Sequence, residues 1–245
     1  MKRADGRWPS QLRKINIVKN YQKNADGSCM LTAGKTQVLC AATVEENVPP
    51  FLKNSGMGWV TAEYGMLPCS CNTRIRRNNQ SGRTFEIQRL IGRSLRSVVD
   101  MGQLGERTIR IDCDVIHADG GTRTASITGG FMALVLALNH LKRKKILSGI
   151  PVMDYVAAIS VGLVNGQVML DLNYEEDSGA DMDMNVVMLG KGAFVEIQGT
   201  AERSPFTRTQ NDALLRLASK GIKQLVRMQK EQLKGISFYK GKGRS

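Results

Sequence analysis

DGGTRTASITGG, residues Asp119 to Gly130, lies between an apolar run from Ile109 to Val115 and a longer one from Phe131 to Leu138. That spacing reads as a strand, a tight turn and a helix. Asp119-Gly120-Gly121 supplies the turn, Thr122 is the expected N-cap and Arg123 the first helical residue. A helix start offers unpaired N–H groups and partial positive charge, and glycines let a ligand approach the backbone. Thr122 adds a hydroxyl, and Arg123 a planar, permanently charged fork suited to phosphate oxygens. Two readings stand: a phosphate cradle made of Gly121, Thr122 and Arg123, or a turn whose arginine faces water.

Upstream, residues 84–101 have helical period, with Ile87, Leu90, Ile91, Leu95 and Val98 on one face and Gly102 and Gly105 closing the helix. Ser81-Gly82 sets Arg83 at its start, where dipole and side chain both favour an anion. Two helix starts bearing arginines, at 83 and 123, are placed to converge on one phosphate. Between Arg74 and Arg96 the chain carries seven arginines and one acid, Glu86. Arg89, Arg93 and Arg96 share a helix face, which is solvated, paired with acids, or an anion surface. Residues 69–81 read as an exposed loop. Its Cys69 and Cys71 lack the second pair or nearby histidine that a zinc site needs.

Elsewhere strands dominate. Apolar runs flank Gly34-Lys35 between Cys29 and Val44, and Asn165-Gly166 joins Tyr155–Val164 to Val168–Leu172, both as hairpins. Gly34-Lys35-Thr36 imitates the end of a nucleotide-binding P-loop, but that motif needs glycine where Cys29 stands and a helix where a strand follows. Residues 212–234 form a long amphipathic helix, and the segment from Gly235 reads as a loose basic tail. Strand, Gly-Lys turn, strand and terminal Glu recur in 31–46 and 187–202, a hint of two similar halves. The expected class is α+β: two β-α halves, about 1–145 and 150–240, of mixed sheets packed with helices.

The second half also holds LDLNYEEDSGADMD, residues 170–183, with six acids and no base. Asp181, Asp183 and Asn185 alternate with Met182 and Met184 as along a strand, with Asp177 in the loop before. Position six of an EF-hand loop would be Val186, which excludes that motif. The residues are either carboxylates converging on a hard cation such as Mg²⁺, an acid–base pair, or a solvated acidic turn.

The net charge is +13 over 245 residues. A chain this basic meets polyanions, with nucleic acid first among them. No apolar run reads as a membrane span, and the start lacks the apolar core of a secretory signal. Five cysteines, an odd set without CxxC pairs, fit a reducing cytoplasm, with Cys29, Cys40 and Cys113 as buried thiols. With only His117 and His140 and no nucleophile motif, the inventory suits an attacking phosphate better than a covalent nucleophile.

GWVTAEYGMLP (58–68), SGRTFEIQRLIGRSLRSVVD (81–100), DCDVIHADGGTRTASITGG (112–130), LDLNYEEDSGADMDMNVVM (170–188) and VEIQGTAERSPF (195–206) occur in the order in which the bacterial ribonuclease PH family carries such motifs. The chain resembles that family from Arg3-Ala4-Asp5-Gly6-Arg7 to its last helix. The resemblance implies a single ribonuclease PH domain over 1–245. It also implies a phosphate-dependent 3′→5′ exoribonuclease that trims transfer RNA precursors, and possible ribosomal RNA substrates as well. The reaction releases nucleoside diphosphates and is reversible. A homo-hexamer, a trimer of dimers, in the cytoplasm is implied too. By motif, Arg83, Gly121, Thr122 and Arg123 fall on phosphate-binding positions. Asp177 and Asp183 fall on carboxylates tied to catalysis and to Mg²⁺ or another divalent cation. Arg74, Arg76, Arg77, Arg89 and Arg93 are the RNA-binding candidates. One region departs: the family usually has arginine after Met-Leu-Pro, where Cys69 stands here, and the loop that grips the transfer RNA body is shorter.

Overall fold

The computed structural model describes residues 3–77, 81–203 and 205–238. The first half of the chain builds strands β1 (Ile15–Lys19), β2 (Gly27–Ala33), β3 (Thr36–Glu45), β4 (Trp59–Met66) and β5 (Thr108–His117). They form a five-stranded sheet in the order β1-β2-β3-β5-β4. Only β4 and β5 are parallel, and a parallel pair needs a crossover. Helix α1 (Gly82–Arg96) and the single turn α2 (Met101–Leu104) supply it. The second half adds β6 (Val156–Val164), β7 (Gln167–Leu170), β8 (Met182–Leu189) and β9 (Phe194–Ala201), antiparallel throughout in the order β7-β6-β8-β9. The α+β class expected from the sequence is the one the chain forms, with the first sheet mixed and the second wholly antiparallel.

Helix α3 (Thr122–Arg143) lies between the sheets, packing on β2, β3 and β5 on one side and on β6 on the other. A helix with sheet on both sides must be apolar around its whole circumference, and Thr124 through Val135 are all buried. Length and composition alone would let α3 cross a membrane, contrary to the sequence expectation, but 83% of its apolar window is buried inside the protein, as in a core helix. Close packing requires a glycine in β2: a Cβ on Gly27 would sit 2.3 Å from the Ala137 nitrogen and 2.4 Å from the Ala133 oxygen. Cys29, Cys40 and Cys113 lie side by side across β2, β3 and β5 under the same helix, buried and free. Helix α5 (Arg208–Gln232) covers β6, β7 and β8 from the other side.

Several boundaries differ from the sequence reading. Helix α1 ends at Arg96, and a separate turn capped by Asp100 occupies 101–104. Asp177 lies not in a loop but in α4 (Tyr174–Gly179), which a capping box between Asn173 and Glu176 starts. The N-cap of α3 is Gly121, at φ 64°, and Thr122 is already helical. The segment after Gly235 is not loose as far as Phe238, whose ring packs 4.8 Å from that of Tyr155 and 6.3 Å from that of Phe131; residues 239–245 lie outside the described residues.

Candidate active site

The start of α3 is the meeting point of both halves. β4 brings Tyr64, whose hydroxyl is 2.9 Å from Thr122 Oγ1. Ser81 caps α1 by accepting from the Thr84 N–H, as the sequence implied, and leaves Arg83 exposed at the helix start. Arg123, one residue into α3, donates to Gln198 Oε1 on β9 at 2.8 Å and lies 3.7 Å from Glu86 of α1. Gln198 in turn donates to Glu86 Oε1 at 2.7 Å. Gln198 and Glu86 thus orient the Arg123 guanidinium.

The second half brings the carboxylates. β8 alternates, with Met182 and Met184 buried and Asp183 on the other face, paired in register with Gly162 and Thr200. Burial pushes the Asp177 carboxyl above the ordinary range, while Arg123, Arg83 and Arg13 pull it back. Burial likewise pushes Asp183 up, and the negative charges of Asp177 and Glu202 add to that. Arg83 and Arg123 also act on the buried Tyr64 hydroxyl, which burial pushes up and the Thr122 hydrogen bond draws down. These couplings require proximity. They bring Arg83 and Arg123 within electrostatic reach of Tyr64 and Asp177, and Asp177, Glu202 and Arg123 within reach of Asp183.

Among the described residues no three His, Cys, Asp or Glu side chains cluster as a ready metal cage. Two hard oxygen donors remain in Asp177 and Asp183. That set suits Mg²⁺, which commonly takes one or two carboxylates and completes its shell with water and substrate phosphate.

The other sequence candidates are dispersed. Arg74, Arg76 and Arg77 are exposed on the loop after β4, with residues 78–80 outside the described residues. The arginine face of α1 is divided: Arg93 pairs with Glu196 at 2.6 Å, and Arg96 stacks 4.3 Å over Trp59 and donates to the Val60 carbonyl. Arg89 is exposed, without an ion-pair partner among the described residues.

Sequence reasoning missed Tyr64, Gln198 and Glu202, which gain their roles from neighbours far away in the chain; Glu86 it named only as a possible partner of the α1 arginines. Arg3, Arg7 and Arg13 are buried. Arg3 donates from Nε to Glu176 Oε1 at 2.6 Å and from Nη1 to the Leu170 carbonyl at 2.6 Å, and Arg7 donates to the Asp171 carbonyl at 3.0 Å. Clustered acids with no base nearby at 170–183 were the available signal, since buried charges demand partners.

Residues 11–138 match the model of the 3′ exoribonuclease family, domain 1, and residues 154–235 match domain 2. The chain is 57% identical over 234 residues to ribonuclease PH of Syntrophomonas wolfei, covering 94% of this chain and 98% of that one. It is 57% identical to ribonuclease PH of Bacillus cereus over 96% of this chain and 98% of the other, and 56% identical to that of Moorella thermoacetica over 99% of both. Among solved structures it superposes on rice Rrp46 with a TM-score of 0.78 at 20% identity, covering 94% of this chain and 99% of that one. On the Archaeoglobus fulgidus exosome with RNA bound to the active site the TM-score is 0.79 at 21% identity, covering 95% and 93%.

Proposed function

The chain belongs to the ribonuclease PH family of 3′ exoribonucleases, and from that premise we propose that it shortens RNA from the 3′ end with inorganic phosphate as the attacking group. What supports this reading is that Arg123, at the start of α3, is hydrogen-bonded to Gln198 of the second half and, with Arg83, acts on the half-buried Asp177 carboxyl. On this reading the halves work as one unit.

Arg83, Arg123, the Thr122 hydroxyl and the backbone at Gly121 bind orthophosphate, and the helix start adds N–H donors and dipole. Held there, a phosphate oxygen faces the phosphorus of the last phosphodiester. The new P–O bond forms as the bond to the 3′ oxygen breaks, giving a nucleoside diphosphate and an RNA one residue shorter. The departing 3′ oxygen takes up a proton; the reverse reaction adds a nucleotide and releases phosphate. Asp177 and Asp183 would hold a Mg²⁺ that, when bound, neutralises charge on the phosphoryl group and the departing oxygen. Asp183 has a rival role as the proton donor, which its raised pKa favours.

We infer transfer RNA precursors as the main substrate, with ribosomal RNA ends a further class. The exposed Arg74, Arg76, Arg77 and Arg89 contact the RNA backbone, and Arg93 takes part only if RNA displaces Glu196. A cytoplasmic hexamer, three dimers in a ring, is the assembly we infer from family membership.

The deciding experiment incubates the protein with 3′-extended transfer RNA, with and without phosphate, and identifies the released nucleotide. Diphosphates that appear only with phosphate are expected. Monophosphates released without phosphate would make the protein a hydrolase, and RNA binding without release would make it a scaffold.

A further inference from the structure

Between the phosphate loop and the acidic helix lies a side chain that belongs to neither. Arg13 precedes β1 and is buried, its side chain 5% exposed and that of its partner Asp171 2% exposed. Nη2 donates to Asp171 Oδ1 at 2.6 Å, while the Arg13 backbone N–H donates to Oδ2 at 2.8 Å. Nη1 donates the other way, to the Asp119 carbonyl at 2.5 Å and, at 3.4 Å, to that of Gly120. Thr36 completes the join: its hydroxyl donates to the Gly120 carbonyl at 2.7 Å and accepts from the Asp119 N–H at 2.9 Å. The acidic side is anchored as firmly. Asp171 has φ 53°, a conformation that costs a non-glycine residue energy and persists where surroundings enforce it.

We propose that Arg13, Asp171 and Thr36 are positioning residues that set the separation between the phosphate loop and α4, and hence between bound phosphate and Asp177. The inference rests on the phosphorolytic reading. One rigid guanidinium spans the two loops, and its planar fork satisfies both at once, which lysine, a point charge, does not. Burial removes competing water and leaves the two loops little freedom to drift. Neither Arg13 nor Thr36 is among the groups assigned above to phosphate or RNA, so their loss should be felt in the chemical step, where a misplacement of about 1 Å can cost ~100-fold.

The test compares Thr36→Val and Arg13→Lys with the unaltered protein, each first shown to be folded by circular dichroism and thermal melting. Initial rates of diphosphate release are measured against phosphate and against RNA concentration. The expected result is a kcat lowered about 10-fold or more with KM for phosphate within about 3-fold of the unaltered protein. Arg83→Gln, run alongside, should show the opposite split. Thr36→Val keeps shape and charge, so it decides the matter if Arg13→Lys fails to fold. Folded variants with unchanged kcat, or with KM for phosphate raised and kcat intact, overturn the inference. If the unaltered protein releases no diphosphate with phosphate present, the phosphorolytic reading itself fails, which is a separate outcome.

Discussion

Tyr64 and Thr122 join two hydroxyls by one hydrogen bond. If Tyr64 donates across their 2.9 Å contact, the Thr122 proton is free to point at a phosphate oxygen. Tyr64→Phe should therefore raise KM for phosphate several-fold, at a cost in stability of about 1 kcal/mol; steady-state kinetics and urea denaturation check the two parts. Neutral substitution of Arg83 or Arg123 removes a charged hydrogen bond and should raise KM for phosphate about 10-fold or more. Near-normal saturation in both variants would end that assignment. Asp177 and Asp183 have folded pKa values raised above the unfolded one. As pH climbs from the ordinary carboxylate value through the raised one, the folded state holds more protons than the unfolded, so these groups cost stability across that window and above it. Asp183→Asn should raise Tm at neutral pH and flatten its pH dependence while abolishing turnover. The two roles of Asp183 are separable by sign: a proton donor loses rate as pH rises through its pKa, and a cation ligand gains it. The positions of Arg83 and Arg123 at helix starts and of Asp183 on one face of a strand were legible in the sequence because helix starts and strand alternation are local patterns. Tyr64, Gln198 and Arg13 were not, since each acts on a partner remote along the chain.

Glycines set how closely the elements approach one another. Gly120 has φ 73°, and a Cβ there would lie 2.7–2.8 Å from backbone atoms of residues 172–174. This glycine serves the seating of α4, and only Gly121 remains for a ligand. Gly120→Ala combines backbone strain with a clash that no side-chain rotation relieves, at a cost of about 2–4 kcal/mol. Chemical denaturation should show that loss, and kcat should fall with it. The hairpins at Gly34-Lys35 and Asn165-Gly166 and the long helices were readable because turn residues and periodicity specify them. Helix α4 was not. Six residues are too few to show a period, and Arg3 and Arg7 hold it from more than 160 positions away.

On the scale of the whole molecule, charge dominates. With a net +13, RNA affinity should fall steeply with salt as phosphate contacts release counterions. Filter binding across a salt series, with folded transfer RNA against a short single strand, would report how many contacts each makes. A shallower slope for transfer RNA than for the short strand would argue against a basic surface that grips the folded body. Native mass or sedimentation tests the ring, and a stable monomer at micromolar concentration would refute it. The packing of two sheets around one apolar helix could be foreseen only as two similar halves, because no local pattern records which faces meet. The arginine clasp has a further meaning for biosynthesis. Arg3 and Arg13 meet partners 173 and 158 residues downstream. A nascent polypeptide emerging from the ribosome can therefore complete its first sheet while the acidic counterpart is still untranslated. Until translation has passed that point the nascent chain lacks the carboxylates that its own proposed site requires.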